Sequence, residues 1–218
     1  AGAGMRTCGG SGEIPEPTVT VRMEETGGLL MAAAKQSPWS TRQLVTLALL
    51  TSIAILLSFV EFPIFPAAPF LKYDASFVPV MVAGFAYGAG PGAAVGVVTW
   101  AIHGLMTGDP AGSLMNIIAM LGFVLPAALI YKRHHTFKGA LVGLIIGVVL
   151  TIVGAIVADL VVIPLYNGTP VEAVITMIIP ILLPFNALKA VINAVLTLVI
   201  YKAISNLITP AKDQVKGR

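Results

Sequence analysis

Four stretches of this chain carry no Asp, Glu, Lys or Arg: Gln43 to Val60, Ala75 to Gly108, Pro110 to Tyr131 and Gly139 to Ala158. Crossing the hydrocarbon of a bilayer, about 30 Å thick, takes roughly 20 helical residues, and each stretch is long enough. Only 11% of the 218 residues are charged and 57% are hydrophobic. A soluble domain carries about 25% charged residues. The expected fold is therefore an all-α integral membrane protein.

Six spans fit the pattern best. The first runs from about Ser40 to Glu61 and stops at Pro63 and Pro66. The long uncharged block after Asp74 is broken at Gly88-Ala89-Gly90-Pro91-Gly92, a turn signal between a short second helix and a third that ends near Gly108-Asp109-Pro110. The fourth span covers about Ser113 to Tyr131, the fifth Gly139 to Ile163 and the sixth Met177 to Leu207. With six crossings, Lys35, Arg42, Lys132, Arg133, Lys138, Lys202, Lys212, Lys216 and Arg218 all fall on one side. By the positive-inside rule that side is cytoplasmic and holds both termini. The membrane domain then occupies residues 39–208. Residues 1–38 read as a flexible tail, of which Ala1-Gly2-Ala3-Gly4 reads as a tag remnant and Met31 as an alternative natural start; residues 209–218 form a basic tail. With one cysteine, Cys8, neither an intrachain disulfide nor a zinc cluster is written here, and no metal site is expected.

Small residues recur at fourth positions: Gly139, Gly143 and Gly147 in the fifth span, and Gly84, Gly88, Gly92 and Gly96 around the second turn. Such spacing lets membrane helices pack backbone to backbone. Ala48 and Ser52 make a similar step in the first span, as packing or as a docking surface for another membrane subunit.

Against this background the polar residues at membrane depth are few. Lys189 is the most expensive, because a cation at the bilayer centre costs roughly 2.5 to 3.5 kcal/mol on insertion scales and must face protein, water or ligand. Asn186, Lys189 and Asn193 share one helical face. His103, Ser113, Asn116 and Asp159 complete the set, and Asp159 either pairs with Lys189 or meets a ligand. Loop 1, Phe62 to Ser76, is rich in proline and aromatics. Prolines stiffen it by fixing φ, and aromatics on a stiff loop suit a lid over a flat ring. The combination predicts an outward-facing pocket for a small aromatic solute, closed by loop 1. No G-x-x-x-x-G-K-[ST] loop, Asp-rich metal motif, H-E-x-x-H or G-x-S-x-G is present, so the chain reads as a binder that relies on partners for energy.

Three motifs carry a resemblance. Glu61-Phe62-Pro63 through Phe70-Leu71-Lys72-Tyr73-Asp74-Ala75-Ser76-Phe77-Val78-Pro79, the Gly90-Pro91 turn, and Pro184-Phe185-Asn186-Ala187-Leu188-Lys189 resemble the substrate-binding S components of energy-coupling factor (ECF) vitamin transporters, most of all the riboflavin-specific branch. Gly112 to Asn116 and His103 are similar to the family's fourth-helix opening and third-helix end, and the likeness covers about residues 40 to 205. Two positions depart from the pattern: Phe77 stands where the family often has Asp, and Asp159 where an amide is expected.

The resemblance implies a six-helix bundle in a bacterial cell membrane that binds riboflavin as cargo, has no cofactor or catalysis of its own, and works with a transmembrane T component and two ATPases. Phe70, Leu71 and Tyr73 are the expected ring cover. Lys189, Asn186 and Asn116 would meet the ring edge, Asp159 and Asp74 the ribityl hydroxyls, with His103 also in the pocket. Ala48 and Ser52 would dock the partner. The rival readings are an S component for another vitamin such as thiamine, a membrane enzyme acting on a lipid, and a purely structural subunit.

Overall fold

The computed structural model describes Gly2, residues 40–65 and residues 68–208, with side chains as far as Tyr201. The rest of the expected N-terminal tail, with Cys8 and Met31, and the basic tail 209–218 lie outside the described residues, as do Pro66 and Ala67 of loop 1. The described chain is built from helices α1 (Thr41–Ser58), α2 (Phe77–Tyr87), α3 (Ala89–Thr107), α4 (Pro110–Arg133), α5 (Phe137–Asn167), α6 (Val171–Met177) and α7 (Leu183–Ile208). A π-helical turn, Ile178–Leu182, joins α6 to α7. Two short antiparallel strands, β1 (Phe62–Pro63) and β2 (Lys72–Tyr73), lie within loop 1, with Phe62 opposite Tyr73 and Pro63 opposite Lys72.

Five helical runs are long and apolar enough to cross a membrane: α1, α3, α4, α5 and the run from Val171 to Tyr201. The chain is a multi-pass membrane protein. Helix α2 differs, with 11 residues that span only about 16 Å at 1.5 Å per residue. It sits at the centre, packing against α1, α3, α4 and α7, and every residue from Phe77 to Phe85 is buried. The turn out of α2 is made at Gly88, whose φ of 98° lies in the region that L side chains avoid. Directly after it α3 doubles back so closely that a Cβ on Gly92 would fall 2.7 Å from the Gly84 Cα.

The tightest pairing is α4 with α5. A Cβ on Gly147 would stand 2.7 Å from the carbonyl oxygen of Phe123, and one on Gly143 would stand 2.9 Å from that of Ala127. These glycines therefore pack internally, as their spacing predicts. Among the small residues of α1 the result differs. Ala48 and Ser52 lie on an exposed face beside Leu44, Leu49 and Ile53, and only Leu47, Ala54 and Ser58 of α1 are buried.

Several helix boundaries differ from the expected ones; α1, for example, ends at Ser58 and not near Glu61. Helix α4 starts at Pro110 because Asp109 caps it, accepting the Gly112 N–H at 2.9 Å. Helix α5 continues past Pro164 to Asn167 and ends at Gly168, with φ of 64°. The sixth span begins at Val171, not near Met177. Pro180, which has no N–H to donate, falls in the π turn, where the wider register absorbs what would break an α-helix.

Candidate functional site

Loop 1 is a packed lid, held at both ends and at its middle. In the middle, Ala68 and Leu71 are buried in a cluster with Val174, Leu182 and Phe185, flanked by Phe65 and Ile163. At the start, Glu61 accepts from the Lys72 ammonium at 2.6 Å, bridging the two strands of the loop. His103 of α3 clasps the same region. Its Nδ1 lies 3.0 Å from the Ser58 hydroxyl, its Nε2 lies 3.5 Å from Glu61, and its ring stacks on Phe59 at 4.9 Å. The Ser58 hydroxyl also lies 2.7 Å from the Ile55 carbonyl, to which it donates, so the two contacts of His103 join the end of α1 to the start of loop 1.

The far end of loop 1 is tied to α7 by a buried ion pair. The Lys189 ammonium donates to Asp74 Oδ2 at 2.8 Å and to Asn116 Oδ1 at 2.8 Å. Asp74 is 1% exposed and Lys189 6%, so each charge needs the other. The second Asp74 oxygen accepts from the backbone N–H and hydroxyl of Ser76, at the start of α2. Asn193, one turn deeper on α7, donates to the Asp74 carbonyl at 3.3 Å and to the Lys189 carbonyl at 3.0 Å. The rings of Phe77 and Trp100 lie 5.3 and 5.6 Å from the ammonium, within cation–π range. A third ammonium hydrogen has only the Lys72 carbonyl, at 3.5 Å, too long for a strong bond.

A cavity of about 270 Å³ opens beside this wall, lined by 20 residues from loop 1, α2, α4, α5 and α7, close to the lower size of small-molecule sites, roughly 300 Å³. Phe70, Leu71, Phe77, Ala119, Ala155 and Phe185 supply flat or apolar surfaces. The polar groups are grouped. Lys189 and Asn116 form one set, and Asp159 with Asn186 forms the other, joined at 3.2 Å from Asn186 Nδ2 to Asp159 Oδ2. Asn186 spends its other N–H on the Leu182 carbonyl at 3.0 Å, so its own carbonyl oxygen stays an acceptor. Asp159 is 3% exposed and that amide is its one hydrogen-bond donor among the described residues, which leaves carboxylate lone pairs for hydroxyl donors.

Of the expected site residues, Phe70, Leu71, Asn116, Asp159, Asn186 and Lys189 line the cavity together. Lys189 pairs with Asp74 and not with Asp159, because loop 1 sets Asp74 Oδ2 2.8 Å from the ammonium while Asp159 accepts from Asn186. Asp74 thus stands behind Lys189 instead of on the wall. Tyr73 and His103 are also off the wall, since the β pairing and the Ser58 contact direct them elsewhere. The Tyr73 hydroxyl is buried without a partner among the described residues; burial first, and then the neighbouring Asp74, push its phenol above the ordinary value of 10.0 and keep it neutral. Phe77, Thr151, Asp109, Tyr166, Asn167 and Phe185 line the cavity but were not expected there. The signal for Asp109 was present as a helix-capping Asp-Pro step; Thr151 was a lone hydroxyl in an apolar run.

The model of the ECF transporter substrate-specific component matches residues 42–201. A riboflavin transporter of Staphylococcus aureus, RibU, is 32% identical over 77% of this chain and 92% of its own length. The riboflavin transporter FmnP of Bacillus subtilis is 34% identical over 73% and 90%. A solved structure of the S component of a bacterial ECF transporter superposes with a TM-score of 0.67 at 30% identity, covering 78% of this chain and 98% of that one. With the match spanning every described helix through Tyr201, the chain belongs to the family of substrate-specific components of ECF transporters.

Proposed function

We propose that this protein binds riboflavin in the cavity under loop 1 as the S component of an ECF-type importer. The observation that carries the reading is Lys189 on the cavity wall, held by Asp74 and Asn116, with its third contact, to the Lys72 carbonyl, long enough at 3.5 Å to yield to a ligand acceptor. Riboflavin is flat and apolar on its ring faces, with carbonyls and an N–H along one ring edge and hydroxyls on its ribityl chain. Phe70, Leu71, Phe77 and Phe185 cover the faces. Lys189 and the Asn186 carbonyl oxygen serve the ring edge, and Asp159 accepts from the hydroxyls. Such a site rejects analogues lacking these groups, because its own buried polar atoms would go unpaired.

The proposal extends to assembly and orientation. The chain crosses a bacterial cell membrane six times with both termini cytoplasmic and the cavity facing outward. Its energy comes from a T component with two ATPases, docked on the exposed α1 face around Ala48 and Ser52. The chain then acts as a transporter subunit and not as an enzyme.

Titration of the purified protein with riboflavin, followed by quenching of flavin fluorescence, tests the ligand. Removing the Lys189 donor leaves Asp74 and the flavin edge unpaired, at about 1–3 kcal/mol, so Lys189→Ala should weaken binding roughly ten- to hundredfold. Undiminished binding by that variant would overturn the assignment. The same titration with thiamine addresses the rival favoured by one observation, the lack of a cation beside Asp159.

A further inference from the structure

We propose that His103 is a positioning residue for loop 1, one that ties the base of the loop to α3 more firmly when its imidazole is protonated. The proposal concerns the loop itself and goes beyond the riboflavin reading. His103 stands off the cavity wall, yet its side chain is 6% exposed and both ring nitrogens face oxygen. Nδ1 lies 3.0 Å from the Ser58 hydroxyl at the end of α1, and Nε2 lies 3.5 Å from Glu61 Oε1 at the start of loop 1. A neutral imidazole has one N–H and donates toward only one of them; an imidazolium donates to both. Glu61 has room for this second donor, because Lys72 takes its other oxygen, Oε2, at 2.6 Å. Protonation therefore turns the 3.5 Å approach into a charge-assisted contact. Glu61 then bridges α3 to Lys72 on β2.

The surroundings suit a cation on two further sides. The Phe59 ring stacks on His103 at 4.9 Å, and the Trp100 ring lies 4.8 Å away, both within cation–π range. Two cations oppose it. Lys72 shares the Glu61 carboxylate, and Lys189 of α7 stands 5.6 Å from the Trp100 ring. The other elements packed on α3 add little charge here. Helix α4 brings Ser113 and the Asp109 backbone against Gly104, while the Asp109 carboxylate is directed at the Gly112 N–H. Arg42 of α1 and Tyr87 of α2 lie at the far ends of their helices. The gain on protonation is thus that of one charged hydrogen bond over a neutral one, which makes opening of the loop base roughly three- to tenfold rarer.

Amide hydrogen exchange of the ligand-free full chain tests this, at about pH 5.5 and about pH 8, on either side of the range in which histidine changes charge. The reporters are the loop 1 amides of Ala68 and Leu71, which donate to the Phe65 and Ala68 carbonyls at 3.0 Å. After correction for the intrinsic pH dependence of exchange, their protection in wild type should be roughly three- to tenfold greater in acid. His103→Gln keeps a hydrogen-bonding side chain that carries no charge and should abolish the difference. Glu61→Gln removes the acceptor charge and should abolish it too, and the double variant should add nothing further. Amides of the α4–α5 seam serve as the control and should not follow the variants. Equal protection at the two pH values in wild type overturns the proposal. A pH difference that survives in either single variant also overturns it, by assigning the effect to another group such as His134 or His135. If His103→Gln fails to fold, wild type and Glu61→Gln alone decide. The experiment uses no ligand, so its outcome is separate from that of the riboflavin titration.

Discussion

Replacing Asp74 with alanine strands the Lys189 ammonium, which is the most consequential single change the structure identifies. The pair lies at 2.8 Å with side chains 8% and 1% exposed. At an effective dielectric of about 20, unit charges 4 Å apart attract by about 4 kcal/mol. Breaking a buried pair by deleting one partner typically costs 3–5 kcal/mol. The Asp74 side chain also accepts from Ser76 at the start of α2, which adds to the loss. For a chain of this size 1 kcal/mol shifts the melting midpoint by roughly 2–4 °C, so Asp74→Ala should melt about 10 °C earlier in detergent. Lys189→Met in the same background removes the orphan charge and should recover part of the loss, a coupling of about 1–3 kcal/mol in a double-mutant cycle. Intrinsic fluorescence against temperature for wild type, both single variants and the double variant measures it. Additive effects, or a melting point for Asp74→Ala within 2 °C of wild type, refute the claim that this pair holds the lid to α7.

Two further outcomes follow from single contacts. Gly147→Ala places a Cβ 2.7 Å from the Phe123 carbonyl oxygen and should force α4 and α5 apart, costing about 1–3 kcal/mol; the same change at Gly90, which has open space around it, should be near neutral in the same melting assay. The Tyr73 phenol, whose folded value lies above 10.0, favours the neutral form in the fold. Its contribution is therefore present below about pH 10 and lost as pH rises through the raised value, because the unfolded chain releases that proton first. Tyr73→Phe should flatten the decline in stability above pH 10, and a tyrosinate absorbance titration should lose one step above the ordinary phenol value.

The legible and illegible parts of this protein separate by the range of the interactions. Uncharged stretches and fourth-position glycines act along one helix or between neighbours, so α1, α3, α4 and α5 were readable, and so was the α4–α5 seam at Gly143 and Gly147. The face shared by Asn186 and Lys189 was readable for the same reason. The partner of Lys189 was not. Asp74 lies 115 residues away, in a loop whose path depends on where Ala68 and Leu71 find a cluster to enter. Asp159, near in depth and opposite in charge, was the partner the sequence suggested, while Asp74 read as a ligand contact. His103 was misdirected likewise: its contacts, Ser58 and Glu61, belong to the base of the lid. Pro180 hid the start of the sixth helical run, since a π turn tolerates a proline that an α-helix rejects.

The two ion pairs of loop 1 differ in burial, and that difference yields a last prediction about ligand release. Lys72–Glu61 is exposed, with side chains 49% and 20% accessible, and such pairs contribute about 0–1 kcal/mol. Asp74–Lys189 is buried and, by the reasoning above, resists separation by several kcal/mol. Lifting loop 1 from α7 must separate the buried pair, so if a ligand leaves by that route, the pair sets most of the barrier to release in the isolated protein. Asp74→Asn, which keeps the size and the Ser76 contact but not the charge, should speed riboflavin dissociation by roughly one hundredfold, the rate equivalent of about 3 kcal/mol. Glu61→Gln should speed it by only about twofold to fivefold. Stopped-flow recovery of flavin fluorescence after dilution measures both rates. Equal acceleration by the two variants would show that release does not pass through separation of loop 1 from α7. The expected inequality would instead place the work of opening the lid on Asp74–Lys189, a cost that spontaneous release meets rarely and that the proposed ATP-driven partners must supply.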